Sequence, residues 1–286
     1  MAIILDGKKL SEEIASILKE KIALMKRKPT LAIVQIGNLY SSNVYIKHKK
    51  AFADKIGALV EHIVLKEDVS LKEVLKLIKK LNKNKKVQGI LVQMPIPEHL
   101  DKRTIIDAID PRKDVDGLHS TNAGKLFIGD MDGVKPATPK GIISLLNHYD
   151  INLDAKKVLV IGRSLLVGKP LAMLLLHENA TVTIAHSHTK NLAELSKEHD
   201  VVIVAVGKPF LITKDHVKQG QIIIDVGTNA MDGTKTLEEI GKKRLVGDVI
   251  YDEVSNIVEA ISPVPGGVGP MTVASLFENL VEVSCK

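Results

Sequence analysis

The chain has a single cysteine, Cys285, beside its last residue, no tryptophan, and only 3% aromatic residues. One thiol can form neither an internal disulfide nor a thiolate zinc cluster, and this fits a reducing compartment. With so few rings the core must be aliphatic, built from Ile, Val, Leu and Ala. Long hydrophobic runs are also missing. The most apolar segments, VLVIG at 158–162 and VVIVAVG at 201–207, are strand-length and far short of the ~20 residues a membrane helix requires. The opening residues, MAIILDGKKL, have too short an apolar stretch and no cleavage site for a secretory signal. The expectations are a cytoplasmic protein with no membrane partner and no metal site.

What is present is ordinary for a folded protein: 286 residues, 45% hydrophobic and 26% charged. That length suits two domains. The formal net charge of +6 has three readings: a solvated basic face, a nucleic-acid surface, or a potential that steers an anionic ligand. There is no aromatic interleaving and no basic tail, so no nucleic-acid partner is expected.

The first half alternates between two periodicities. Strands are predicted at Ala2–Leu5, Thr30–Ile36, Ala58–Leu65 and Val87–Val92. Helices are predicted at Lys9–Lys26, at Ser41–Ile56 closed by Gly57, and from a Ser70 cap with Glu73 in capping-box position to about Leu81. Alternation of this kind predicts crossover units and a parallel sheet. Residues after Pro111, rich in Gly, Asp, Pro and Lys, read as an interdomain crossing with functional loops. The second half restarts with strands Lys157–Ile161, Thr181–Ala185, Val201–Val206 and Gln221–Val226. Helices Gly168–Asn179 and Asn191–Lys197 separate the first three, and a final helix is predicted over about Pro270–Val281. The expected fold is α/β with two domains and a cleft between them. Residues 1–117 form an N-terminal α/β domain, with 270–286 packing back on it. Residues 118–269 form a doubly wound, Rossmann-type parallel-sheet domain.

The segment VLVIGRSLLVGKP runs strand, tight turn, helix. Ser164 stands between Gly162 and Gly168 where the usual dinucleotide fingerprint has its middle glycine, so the motif alone is a weak match. Its setting before a helix N-terminus suits a phosphate. The strand Thr181–Ala185 is followed by His186-Ser187-His188, with no carboxylate to bind a ribose 2′-hydroxyl. Arg163 sits in the neighbouring turn and suits bidentate phosphate contact. This predicts NADP in preference to NAD.

Four further clusters stand out. Tyr45 and Lys49 lie four residues apart on one helix face. Gln93 ends a buried strand ahead of two prolines, Asp116 lies in PRKDVDG, and SPVPGGVGPMT suits a backbone that approaches a ligand closely. Taken singly, each has a plain reading as surface polarity or turn chemistry. Together with KPATPKG, AHSHT, DVGTN and GDV, they occur in the order and spacing of the bifunctional methylenetetrahydrofolate dehydrogenase/methenyltetrahydrofolate cyclohydrolase family, which the chain resembles over nearly its whole length. No region remains for a formyltetrahydrofolate synthetase domain, and no P-loop is present.

The resemblance implies a homodimeric enzyme of one-carbon metabolism, serving purine synthesis, that binds a folate and NADP. Lys49 matches the catalytic lysine, Tyr45 the ring that stacks on folate, Gln93 the glutamine that hydrogen-bonds the lysine, and Asp116 the carboxylate that anchors the pterin. Pro265, Gly266 and Gly267 match the loop lining the reaction site. Gly162, Arg163, Ser164, Ser187, Gly207, Gly227 and Thr228 match the cofactor contacts. A proton shuttle at Lys49 requires an amine brought towards neutrality, by burial and by nearby cations. Lys47 and Lys50 are close in sequence, and the sequence leaves open whether they face Lys49. The chain departs from the family pattern at Ala137 and Ala185, where cysteines are frequent, and at Thr228, where isoleucine is usual. The rival readings are a shikimate-dehydrogenase-like reductase and a non-enzymatic nucleic-acid binder.

Overall fold

Alternating apolar runs and amphipathic stretches fold into two separate parallel sheets, seen in a computed structural model that describes residues 2–130, 132–232 and 243–285. In chain order the first elements are β1 (Ile3–Ile4), α1 (Gly7–Ala23), β2 (Thr30–Ile36), α2 (Tyr40–Ile56), β3 (Leu59–Leu65), α3 (Leu71–Lys83) and β4 (Gly89–Val92). Then come three helices, α4 (Lys102–Asp107), α5 (Ser120–Ile128) and α6 (Ala137–His148). The later half holds β5 (Lys157–Ile161), α7 (Gly168–His177), β6 (Thr181–Ala185), α8 (Leu192–Lys197), β7 (Val201–Val204) and β8 (Ile222–Asp225). The hairpin β9 (Asn229–Asp232) and β10 (Lys243–Val246), then α9 (Tyr251–Val254), β11 (Ala260–Ile261) and α10 (Val268–Ser284) complete the chain.

One compact unit comprises residues 11–137 and 273–286. Its sheet has the order β3-β2-β4, all parallel. The middle strand, TLAIVQI, is buried along almost its whole length, as befits a parallel strand shielded on both faces. On α3, Val74, Ile78 and Leu81 form the buried stripe that meets Ala32, Val34 and Ile90. Each such side chain contributes about 1.5–3 kcal/mol relative to exposure. The helix starts at the predicted capping box: Ser70 accepts from the Glu73 amide, and the Glu73 carboxylate accepts from the Ser70 amide at 3.1 Å. Gly57, with φ of 81°, closes α2 in the left-handed conformation that glycine adopts without strain.

The second unit comprises residues 1–10 and 138–272. Its six strands run in the order β1-β11-β8-β7-β5-β6. The chain passes from β5 to β6 on one side, then crosses to β7 on the other, so the topological switch lies between β5 and β7. Ligands of such sheets bind at the carboxyl ends of the strands beside that switch. The turn from β5 into α7 is tight enough that a Cβ on Gly168 would overlap the Gly162 carbonyl. Neither backbone can yield cheaply. Gly168→Ala is therefore expected to lower the melting temperature by at least about 6 °C, and a melt within 2 °C of the parent in scanning calorimetry would refute the close approach.

Two expectations need correction. The ranges 1–117 and 118–269 shift, because β1 pairs with β11 of the six-stranded sheet and 118–137 belongs with the three-stranded one. A two-residue apolar strand carries no information about its partner. The stretch after Pro111 is also more ordered than a loop, holding α5 and the start of α6. The His119 ring caps α5 by accepting from the Thr121 amide at 2.9 Å, a cap that composition does not advertise.

Candidate active site

In the unit built on the three-stranded sheet, α2 leaves the carboxyl end of β2 and carries Tyr45 and Lys49 on one face. Tyr45 is half-buried and Lys49 is buried. The Lys49 Nζ donates to Gln93 Oε1 at 2.8 Å. Gln93 directly follows β4, and its own amide donates to the Val34 carbonyl, so the strand pairing sets its position. Its Nε2 donates to the Met94 carbonyl at 2.8 Å, and this turns the carbonyl oxygen of the side chain towards the lysine. The Met94–Pro95 peptide is cis.

Asp116 is placed by a loop that is tied down on several sides. Asp114, which is buried, accepts from the His119 amide at 2.8 Å and from Asn122 Nδ2 at 2.9 Å. Asn279, on α10, donates to the Val115 carbonyl at 2.9 Å. Gly117 has φ of 71°, and a Cβ there would lie 2.6 Å from Pro136 N. Asp114, Asn122 and Asn279 escaped the sequence reading. The one signal for Asp114 was its spacing from Asp116 in DVDG, and nothing local pointed to Asn279.

Lys49 and Asp116 perturb each other. Burial lowers the Lys49 pKa, and the Asp116 charge opposes that shift. Burial of its carboxyl pushes Asp116 up to about 6, with Lys49 pulling it down and Asp114 adding to the rise; the residue as a whole keeps partial exposure. Lys47 and Lys50, the neighbours of Lys49 in sequence, do not contribute to its shift. Lys50 Nζ lies 3.0 Å from His62 Nδ1, whose other ring nitrogen is 2.8 Å from Gln35 Oε1. Lys47 is exposed. Desolvation brings the Lys49 amine towards neutrality, and its charged neighbour is a carboxylate.

In the other unit, Gly162 follows β5 with φ of 128°. Ser164 Oγ accepts from the Val167 amide at 3.1 Å, which shapes the turn before α7. Ile161 and Ala185 are register partners on β5 and β6. Arg163 and Ser187, each two residues further on, flank the same edge and are both exposed. The loop 186–189 is closed by His186 N donating to Thr189 Oγ1 at 2.9 Å and by Thr189 N donating to the His186 carbonyl at 2.8 Å. No carboxylate lies in it. Gly207 and Thr228, in the loops after β7 and β8, are exposed, while Gly227 is buried. Pro265, Gly266 and Gly267 belong to this unit as well. Val264–Pro265 is cis, the Gly266 carbonyl accepts from Lys8 N at 2.8 Å, and Gly267 N donates to the Pro263 carbonyl at 2.8 Å. Lys49, Gln93 and Asp116 thus share one unit, and the dinucleotide-type residues and the Pro265 loop share the other. Among the described residues there is no group of three or more His, Cys, Asp or Glu able to hold a metal. None of the described helices is long and apolar enough to cross a membrane.

A doubly wound sheet with a tight glycine turn into α7, in a chain whose other unit holds a buried lysine coupled to an acid, is the plan of a two-unit α/β enzyme with a nucleotide-binding half. Residues 5–116 match the catalytic domain of tetrahydrofolate dehydrogenase/cyclohydrolase, and residues 136–286 match the NAD(P)-binding domain of the same family. The chain belongs to the tetrahydrofolate dehydrogenase/cyclohydrolase family. It is 47% identical over 287 residues to the bifunctional protein FolD of Prochlorococcus marinus, covering 99% of this chain and 94% of that protein. The crystal structure of the Campylobacter jejuni bifunctional FolD, a methylenetetrahydrofolate dehydrogenase/cyclohydrolase, matches with a TM-score of 0.94 at 41% identity, covering 100% of this chain and 99% of that one. The Trypanosoma brucei enzyme, solved with NADP and an inhibitor, matches with a TM-score of 0.94 at 32% identity, covering 100% and 99%. A shikimate dehydrogenase from Aquifex aeolicus shares the fold alone, at 12% identity and a TM-score of 0.53.

Proposed function

We propose that this protein oxidises 5,10-methylenetetrahydrofolate with NADP⁺ and hydrolyses the methenyl product to 10-formyltetrahydrofolate. The observation that carries the reading is the desolvated Lys49 amine held by Gln93 beside Asp116. Hydrolysis of a methenyl cation requires a group that takes a proton from water and returns one to the departing ring nitrogen. A neutral amine does both. Water adds to the methenyl carbon, Lys49 accepts its proton, the carbon–N5 bond breaks, and N5 receives a proton. One proton is released overall. Gln93, accepting from Lys49, keeps the amine lone pair directed at the water. The ionised Asp116 carboxylate accepts from the ring N–H and exocyclic amine of a pterin. Tyr45 offers a ring face for stacking.

A pyrophosphate would sit at the α7 N-terminus, where Gly162, Arg163, Ser164 and Ser187 would hold the phosphates, with Gly207, Gly227 and Thr228 along the remainder. When bound, NADP⁺ supplies the hydride acceptor. An exposed guanidinium with no carboxylate in loop 186–189 favours a 2′-phosphate over a 2′-hydroxyl. The family resemblance supports a cytoplasmic homodimer feeding one-carbon units to purine synthesis.

The test is absorbance of the methenyl product and reduced cofactor, with 5,10-methylenetetrahydrofolate and either NADP⁺ or NAD⁺. Turnover with NADP⁺ at least tenfold above that with NAD⁺ is expected. Turnover mainly with NAD⁺ would overturn the phosphate assignment, and no turnover with either would overturn the dehydrogenase.

A further inference from the structure

Two buried acids in the second unit have no part in the reactions above. Asp225 ends β8 and is 3% exposed, and Asp248, two residues past β10, is 0% exposed. Neither forms an ion pair among the described residues. Burial raises the Asp225 carboxyl to about 6, and the Asp248 charge adds in the same direction. Two carboxylates placed together in a core without cations are costly.

What they hold instead is backbone. Asp248 Oδ2 accepts from the Val206 and Gly207 amides, both at 2.9 Å, and its Oδ1 accepts from Asn229 Nδ2 at 2.9 Å. Asp225 Oδ1 accepts from the Gly227 amide at 2.9 Å and from the Asp248 amide at 3.0 Å, while its Oδ2 accepts from the Val249 amide at 3.0 Å. The loops so held follow β7 and β8, and Gly207 leaves the strand that borders the switch point. Each acid also depends on a glycine beside the other. A Cβ on Gly227 would overlap the Asp248 carboxyl, and a Cβ on Gly247 would overlap the Asp225 carboxyl. The motifs DVGTN and VGDV therefore interlock, with each supplying an acid and the gap for the other's acid.

We infer that Asp225 and Asp248 are positioning residues for the dinucleotide, fixing the loops 206–207 and 227–229 against which its nicotinamide half rests. The inference rests on the NADP⁺ reading above. Loops pinned at three backbone amides, those of Val206, Gly207 and Gly227, and at the Asn229 side chain lose little freedom when a ligand binds, so binding costs less ordering entropy. Asp225 is the sharper test. All the partners of its carboxylate are backbone donors, and an asparagine there turns an NH₂ against an N–H in either orientation.

The experiment compares the parent, Asp225→Asn and Asn229→Ala for KM and kcat with NADP⁺, for NADP⁺ affinity by calorimetry, and for methenyltetrahydrofolate hydrolysis without cofactor. The expected result is a KM and a dissociation constant for NADP⁺ raised at least tenfold in Asp225→Asn and about threefold in Asn229→Ala. Cofactor-free hydrolysis should stay within twofold of the parent, which a general loss of fold would not allow. If Asp225→Asn fails to fold, Asn229→Ala decides: unchanged NADP⁺ affinity overturns the inference, and weakened affinity with intact hydrolysis supports it. Hydrolysis falling in step with NADP⁺ affinity in either folded variant would mean a structural role only and would overturn it. A parent that does not bind NADP⁺ would overturn both this inference and the functional reading. A parent that binds it, with variants equal to it, would overturn this inference alone.

Discussion

Exchanging Lys49 for methionine is expected to slow methenyltetrahydrofolate hydrolysis by about 10²–10⁴-fold, the usual contribution of a positioned acid–base group. Dehydrogenation should keep a measurable rate, because hydride transfer from the folate needs alignment more than a proton shuttle. Methionine is unbranched, close in length to lysine, and suited to a buried position. The pH dependence gives a second readout. Burial lowers the Lys49 pKa, so the neutral, proton-accepting amine grows as pH rises through a value below the ordinary 10.5. Parental hydrolysis should rise over that window and then level off, and the residual rate of Lys49→Met should lack the rise. Undiminished hydrolysis in a folded variant would remove Lys49 from the chemistry.

Exchanging Asp116 for asparagine is expected to raise the KM for methylenetetrahydrofolate about 10–100-fold, while the KM for NADP⁺ changes less than threefold. A charged acceptor serving two donors is worth about 1.5–3 kcal/mol per bond. The asparagine keeps one acceptor and presents an NH₂ to the second donor. An equal loss for both ligands would contradict the anchoring role. Stability should move the opposite way. The Asp116 carboxyl is raised from 3.8 to about 6 in the folded protein. Between those values the native state retains a proton that the unfolded chain has released. The stability of the ligand-free protein therefore falls as pH rises through that window, and above it the cost of the charge is complete. Asparagine bears no such cost. Asp116→Asn should melt a few degrees above the parent at pH 7.5, with the gap closing towards pH 4, as calorimetry across that range would show. Folate KM in the parent should worsen as pH drops below 6, where the carboxylate is lost, and the variant should be flat.

These two expectations show how much chemistry a sequence carries. Lys49, Gln93 and Asp116 were legible as a set because a helix places residues four apart on one face, a buried strand ends where its apolar run stops, and the motifs keep a recognisable order. The element types were legible for a similar reason. The α3 capping box, the Gly57 cap and the strand–turn–helix at 157–177 are written in residues within a turn or two of one another. Such signals are short-range, and composition and periodicity preserve them.

The tertiary structure decided everything that depends on a partner distant in sequence. Strand β1 joins β11 across some 250 residues, a pairing that its two apolar side chains do not encode. The Lys49 amine is depressed by burial and opposed by Asp116, while Lys50, the next residue, pairs with His62 on β3. Asn279 reaches the Asp116 loop from the last helix, and Asp225 and Asp248 interlock through each other's glycines. Desolvation and hydrogen-bond satisfaction belong to the space around a group, and that space is filled by residues from other parts of the chain. The sequence alone determined the types of the elements, the family and the side chains proposed as reactive; the burial, orientation and scaffolding of those side chains were settled only by the fold.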